Sequence, residues 1–103
     1  MGKINKRPQV IQDLIELATY IATDNLDASE RFLTAAEETF QQISKLPQMG
    51  KQCQLSNPEL AEIRQQAIKG FKNHLVFYRV LNSDIEIIRV LHGARDLEAI
   101  LDE

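Results

Sequence analysis

Near the C-terminal end of the chain a histidine, an arginine and an aspartate fall within five positions, His92-Gly93-Ala94-Arg95-Asp96. A histidine beside an arginine can move a proton next to a group that stabilises an anion, and Tyr78 and Arg79 upstream would extend the set. That combination suits ribonuclease chemistry, in which a 2′-hydroxyl attacks its own phosphate. The same residues also read as an anchor. Asp96 is placed to be the N-cap of a terminal helix, Arg95 pairs locally, and Gly93 gives the backbone freedom to leave a strand. His92 is then a polar residue at a strand end. The anchor is the simpler use of the cluster and the one the sequence favours.

Other reactive residue types are sparse. His74 and His92 lack a nearby cysteine or spaced acids, so no metal site is expected. There is no glycine-rich phosphate loop and no nucleophile elbow, and no cofactor is expected. Cys53 is the lone cysteine, without a disulfide partner, and reads as a passive thiol of a reducing cytoplasm. Tyr78 has two uses, a stacking platform for bases or a core tyrosine with its hydroxyl satisfied at an edge; the second is favoured. Arg64, opening a strand, either meets a phosphate or pairs with an acid from a helix, and the sequence leaves both open.

A chain of 103 residues is read as a single domain spanning 1–103, long enough to bury roughly two-thirds of its unfolded surface. The composition, 44% hydrophobic and 26% charged, is ordinary for a soluble globular protein. No apolar run is long enough for a membrane span. Charged residues near Met1 have no apolar segment behind them, so no signal peptide is expected. Lys6 stands where a myristoylation motif wants Ser or Thr. A net charge of −3 argues against a surface given over to nucleic acid. The charge is uneven, however. Between Ile63 and Arg95 lie Arg64, Lys69, Lys72, Arg79, Arg89 and Arg95 against only Asp84 and Glu86, so one face is expected to be positive.

The elements that would carry these residues follow from periodicity. Ile4 suits a short edge strand, and Pro8 the first turn of a helix. Val10, Ile11, Leu14, Leu17, Ala18 and Ile21 form an amphipathic stripe that Asp24-Asn25 closes. Asp27 with Glu30 announces a second helix with Phe32, Ala36, Phe40 and Ile43 on its apolar side. The short connection makes the helices an antiparallel hairpin, and Pro47 and Gly50 end the helical region. Ser56-Asn57-Pro58-Glu59 reads as a turn. Ile63–Ile68 is read as a strand because Lys69-Gly70 is a turn signal. Phe71–Val80 and Ile85–Val90, separated by Asn82-Ser83-Asp84, form an antiparallel hairpin. Both faces of these two strands are apolar, so something must lie opposite the helices, and Leu97, Ile100 and Leu101 are the remaining material.

Taken in order, Pro8 ahead of Asp13-Leu14 and Tyr20-Ile21, then Phe32, Phe40, Leu46-Pro47, Gly50, Ile63-Arg64, Gly70-Phe71, Val76-Phe77-Tyr78-Arg79, Ile85-Glu86-Ile87 and Val90-Leu91-His92-Gly93-Ala94-Arg95-Asp96 resemble the ParE toxins of the RelE/ParE superfamily. The resemblance covers nearly the whole chain. It implies an α+β fold, an N-terminal helical hairpin packed on a small twisted antiparallel sheet with a short C-terminal helix. It also implies a cytoplasmic prokaryotic toxin of a type II toxin–antitoxin system, with a ParD-like antitoxin and DNA gyrase as partners. No membrane partner and no sequence-specific nucleic-acid binding are implied. RelE-like members instead cut mRNA on the ribosome, using basic residues and a late Tyr or His. Here the tail after Arg95 has no Tyr, Lys or Arg, which favours gyrase poisoning and no catalytic residues. The nuclease alternative would use His92, Arg95, Arg79 and Tyr78. The remaining family positions, Arg64, Gly70, Phe71, Gly93 and Asp96, are read as structural.

Overall fold

A computed structural model describes residues 2–53, 58, 62–93, 99 and 100. Along the chain run β1 (Ile4–Lys6), α1 (Pro8–Ala22), α2 (Leu26–Lys45), β2 (Lys51–Gln52), β3 (Arg64–Ile68), β4 (Phe71–Leu81) and β5 (Asp84–His92). The strands form one sheet in the order β1-β5-β4-β3-β2. It is not wholly antiparallel as expected. β1 pairs parallel with β5, Ile4 opposite Ile85, because the chain crosses over through both helices before returning to the sheet. The other pairs are antiparallel.

Pro8 opens α1 at a position whose N–H needs no partner, and no side chain caps that end. The second helix is capped one turn-step earlier than expected. Asn25, not Asp27, is the N-cap: its extended backbone lets Oδ1 accept from the Ala28 amide at 3.0 Å. Asp27 instead sits in the first turn, where a carboxylate meets the positive end of the helix dipole. Ser29 Oγ donates to the Ala18 carbonyl at 2.7 Å and so ties the start of α2 to the end of α1.

Both helices feed one core. Val10 and Ala18 from α1 and Phe32, Ala36, Phe40 and Ile43 from α2 pack with Val76, Tyr78, Ile85, Ile87 and Val90 of the central strands. Ile11 does not belong to this stripe. It is 47% exposed and points outward with Ile15, while Asp13, only 3% exposed, takes a place on the buried side. A second cluster on the opposite face joins Ile63, Phe77, Ile88 and Leu91, with Leu75 and Ile100 packed against it. The double-faced apolar reading of β4 and β5 therefore holds, and Ile100, in a helical stretch with Ala99, supplies cover. The Ser56-Asn57-Pro58-Glu59 turn (Pro58 excepted), Arg95, Asp96 and their capping role, Leu97 and Leu101 lie outside the described residues.

A register shift in the β4–β5 pairing explains the face assignment. Tyr78 lies opposite Ile87 but Phe77 lies opposite Arg89, so Ile88 is the extra residue of a β-bulge. Before the bulge the odd positions Ile85 and Ile87 face the helices; after it the even position Val90 does. Next to the bulge the Val90 amide donates to Asp13 Oδ2 at 3.1 Å. Arg89 closes on the same carboxylate with Nε and a terminal nitrogen, each at 2.8 Å. Gln9 reaches Asp13 Oδ1 at 3.3 Å.

A buried carboxylate held this way is costly to disturb, because removing one partner of a buried pair leaves desolvated polar groups behind. Asp13→Ala should cost roughly 3–5 kcal/mol and lower the melting temperature by well over about 10 °C. Ile11→Ala, on the same helix but outward-facing, should change it little. Thermal unfolding of the two variants by circular dichroism checks this pair of outcomes.

Candidate functional site

The residues singled out by sequence fall into three separate places. The first is the junction after α2. Tyr78 has no exposed surface; its hydroxyl donates to the Pro47 carbonyl at 2.8 Å and accepts from the Gly50 amide at 2.9 Å. Arg64 lies opposite Tyr78 in the β3–β4 pairing. It donates to the Gly50 carbonyl and to Gln48 Oε1, each at 2.6 Å. Its partners here are a loop carbonyl and a glutamine amide. Gly50 is required by close approach, since a Cβ there would lie 2.6 Å from the Tyr78 hydroxyl and 2.8 Å from the Gln65 carbonyl oxygen. Burial raises the Tyr78 phenol, against the opposing effects of the Gly50 amide and Arg64. A buried, doubly bonded phenol of raised pKa holds the loop; it is not placed to shuttle protons.

The second place lies across β1, β5 and β4, where the side chains are half-buried. Arg79 lies opposite Glu86 and donates from Nε to its Oε1 at 2.6 Å; Arg7 reaches the same oxygen at 3.2 Å. Burial by itself would raise the Glu86 carboxyl, but hydrogen bonds and charge from Arg7 and Arg79 outweigh it and hold the group below its ordinary value. Arg79 is thus paired within the sheet. Of the six basic residues expected to form a positive face, Arg64, Arg79 and Arg89 are engaged inside the chain, Lys69 and Lys72 are exposed, and Arg95 lies outside the described residues.

The third place gathers His92. It lies opposite His74 at the far end of β4–β5, the two rings edge to face with centroids 5.2 Å apart. His74 also meets Phe32 edge-on at 5.1 Å and Phe71 at 6.1 Å, and Phe71 meets Phe32 at 5.3 Å. Gly70, in the turn before Phe71, has φ +84, which only glycine adopts without strain. Gly93 does not use such freedom: its φ is not positive. Its amide donates to the Asn73 carbonyl at 2.7 Å, and a Cβ would come within 3.3 Å of Leu75. Gly93 therefore continues the strand pairing, and its lack of a side chain serves close packing.

The two imidazoles line a cavity of about 580 Å³ between these strand ends and the helices. Leu17, Tyr20 and Ile21 of α1 and Ala28 of α2 form its apolar walls, with Asp24 and Asn25 at the helix connection. Burial lowers the His74 pKa and the neighbouring His92 lowers it further; Nδ1 is buried without a hydrogen-bond partner. Burial also pushes the Cys53 thiol up, with Lys51 only partly opposing, which is the reverse of an activated thiolate.

Tyr78, Arg79 and His92 therefore do not converge. His74 is weighed from sequence only as a metal ligand and Asp24-Asn25 only as a helix end, and the bulge is why the two histidines are not read there as neighbours. Counting pairs back from the Asn82-Ser83 turn sets His74 opposite Leu91; the extra residue at Ile88 moves His92 into that place.

Two helices packed on a five-stranded mixed sheet define an α+β fold, in which Tyr78, Arg79 and His92 stand apart from one another. The family follows from the sequence. Residues 4–97 match the model described as "ParE toxin of type II toxin-antitoxin system, parDE", and the chain belongs to that family. No curated protein matches it. Among solved structures it is similar to a chain of the "Chromosomal ParDE TA system from P. aeruginosa". The TM-score is 0.70 at 14% identity, over 89% of this chain and 96% of that one, a likeness of fold.

Two measurements probe this geometry. Tyr78→Phe leaves the buried Gly50 amide without an acceptor and should cost roughly 1–3 kcal/mol in urea unfolding. His74 gives the second. Its folded pKa lies below the ordinary 6.5, so the unfolded chain binds the extra proton. Its contribution is fully present above pH 6.5 and is lost as the pH falls through and below that value. His74→Phe should flatten the stability profile between pH 7 and pH 5.

Proposed function

We propose that the chain, acting as one toxin domain over residues 1–103, poisons DNA gyrase in the cytoplasm by binding it, and is neutralised by a ParD-like antitoxin. The observation that carries this reading is the internal engagement of Tyr78, Arg79 and Arg64. An mRNA endonuclease needs cations on the phosphate and a proton donor beside it. In this chain the phenol is buried against Pro47 and Gly50, and the guanidiniums of these two arginines are spent on the chain itself. Membership of the ParE family supports the same choice, and the chain of a ParDE toxin–antitoxin system to which the fold is similar supports an antitoxin partner.

On this reading the toxin holds gyrase in its cleaved-DNA state, so replication stalls and breaks accumulate. The antitoxin orders as it binds, covering apolar surface that the toxin leaves open; Tyr20, Leu26 and Leu46 are each more than 60% exposed. Purified chain should inhibit supercoiling or accumulate gyrase-cleaved DNA while leaving ribosome-bound mRNA intact. Codon-dependent mRNA cuts that vanish in His92→Ala or Arg95→Ala would replace the reading with the nuclease. Co-expression with the adjacent reading frame should restore growth and yield a stable complex.

A further inference from the structure

We propose that the cavity between the helix connection and the far ends of β4 and β5 seats an aromatic side chain of a partner segment that carries a lysine or arginine close by. The inference rests, for the identity of that segment, on the antitoxin reading above; the chemistry of the site is argued from its walls alone.

The cavity is of a size that holds a small molecule or a pair of side chains, about 580 Å³. Leu17, Ile21 and Ala28 give it an apolar floor, and Tyr20, 76% exposed, stands uncovered at its mouth. The opposite wall is aromatic. His74 is already fixed edge to face against Phe32 and Phe71, so its ring and that of His92 form a preset surface for another ring. Burial lowers the His74 pKa, and among the described residues no lysine or arginine lines the cavity. An anionic occupant would find no cationic partner among them.

Among the described residues, the one formal charge in the lining is Asp24. It is exposed, and among the described residues no cation is placed against its carboxylate. Helix dipoles do not account for it. It follows the C-terminal end of α1, where negative charge is unfavourable and no basic residue compensates. It also precedes the N-terminal end of α2, but Asn25 and Asp27 already serve that end. Charge complementarity therefore asks for a cation from outside, next to a ring in the cavity. Arg64, Arg79 and Arg89, which would suit an acidic peptide, are engaged elsewhere.

The test uses the full chain, isotope-labelled, with two probes that differ in charge: tryptamine, an indole with an ammonium, and indole-3-acetate, an indole with a carboxylate. Tryptamine should shift the His74 and His92 ring signals and the Leu17 and Ile21 methyl signals saturably. Indole-3-acetate should bind at least tenfold more weakly. Asp24→Asn, an exposed change that leaves packing intact, should remove that preference, and Ala28→Phe, filling the cavity, should abolish both shifts. Equal binding of the two probes, an Asp24→Asn variant that keeps the preference, or shifts confined to other residues would overturn the assignment. The antitoxin arm separates the two readings. An antitoxin that binds the native chain and both variants alike overturns this site and leaves the toxin–antitoxin reading standing. Charge-selective tryptamine binding with no antitoxin complex does the reverse.

Discussion

The buried carboxylate of Asp13 is the constraint on which the architecture turns. It reaches from α1 to the one place where the β4–β5 ladder is irregular, accepting from the Val90 amide and from Arg89 together. A bulge leaves backbone groups without ladder partners, and an unpaired buried amide is expensive. Asp13 meets that need at the bulge and, through the same contact, sets where α1 lies along β5. Burying a carboxylate is unfavourable by itself; the guanidinium, the amide and Gln9 together offset it.

Consequences of that irregularity spread along the sheet. Because Ile88 is extra, β5 presents isoleucines to both faces, and two cores form from one strand pair. The same shift brings His74 opposite His92 and so furnishes the aromatic wall of the cavity. The strand arginines follow a related logic. Arg64, Arg79 and Arg89 each bind a loop carbonyl, a cross-strand acid or a buried acid in preference to solvent. Basic residues in a net acidic chain thus act here as internal fasteners. Charge counted along a segment says nothing of this, because it takes no account of which carboxylates and carbonyls the fold brings near.

What the sequence revealed and what it hid divide along the same physical line. Local signals were legible: Pro8 at a helix start, Pro47 and Gly50 at its end, Lys69-Gly70 as a turn, and alternation in β4. The strand assignment of Arg64–Ile68 also holds, against a fair helix propensity, because strands on both sides complete it. Features set by tertiary partners were not legible. Ile11 fits the helical stripe by spacing, yet Asp13 takes the buried place because Arg89 and Val90 await it. Asp27 looked like a cap because Glu30 follows at capping-box spacing, but Asn25 precedes it and holds the better geometry. Parallel pairing of β1 depends on a crossover that no local pattern announces. For the candidate site, His92 was visible as a residue and invisible as a neighbour of His74.

The polar side chains that organise this fold are bound within it. Tyr78 cannot leave Pro47 and Gly50 without exposing a buried amide, and Arg79 cannot turn to a phosphate without leaving Glu86 to Arg7 alone. What the surface offers a partner is shape, apolar area and charges without an internal counterpart. The cavity at the helix connection has all three in one place: a ring-lined wall, an uncovered tyrosine and the Asp24 carboxylate. These residues come from elements that the helical hairpin and the bulge fix independently, α1 and α2 on one side and the β4–β5 ends on the other. Binding there needs no rearrangement of the core, so recognition at this cavity is free to change by surface substitution while Asp13, Tyr78 and Gly50 stay fixed. The internal polar ties hold the fold constant while the residues at this cavity remain open to substitution.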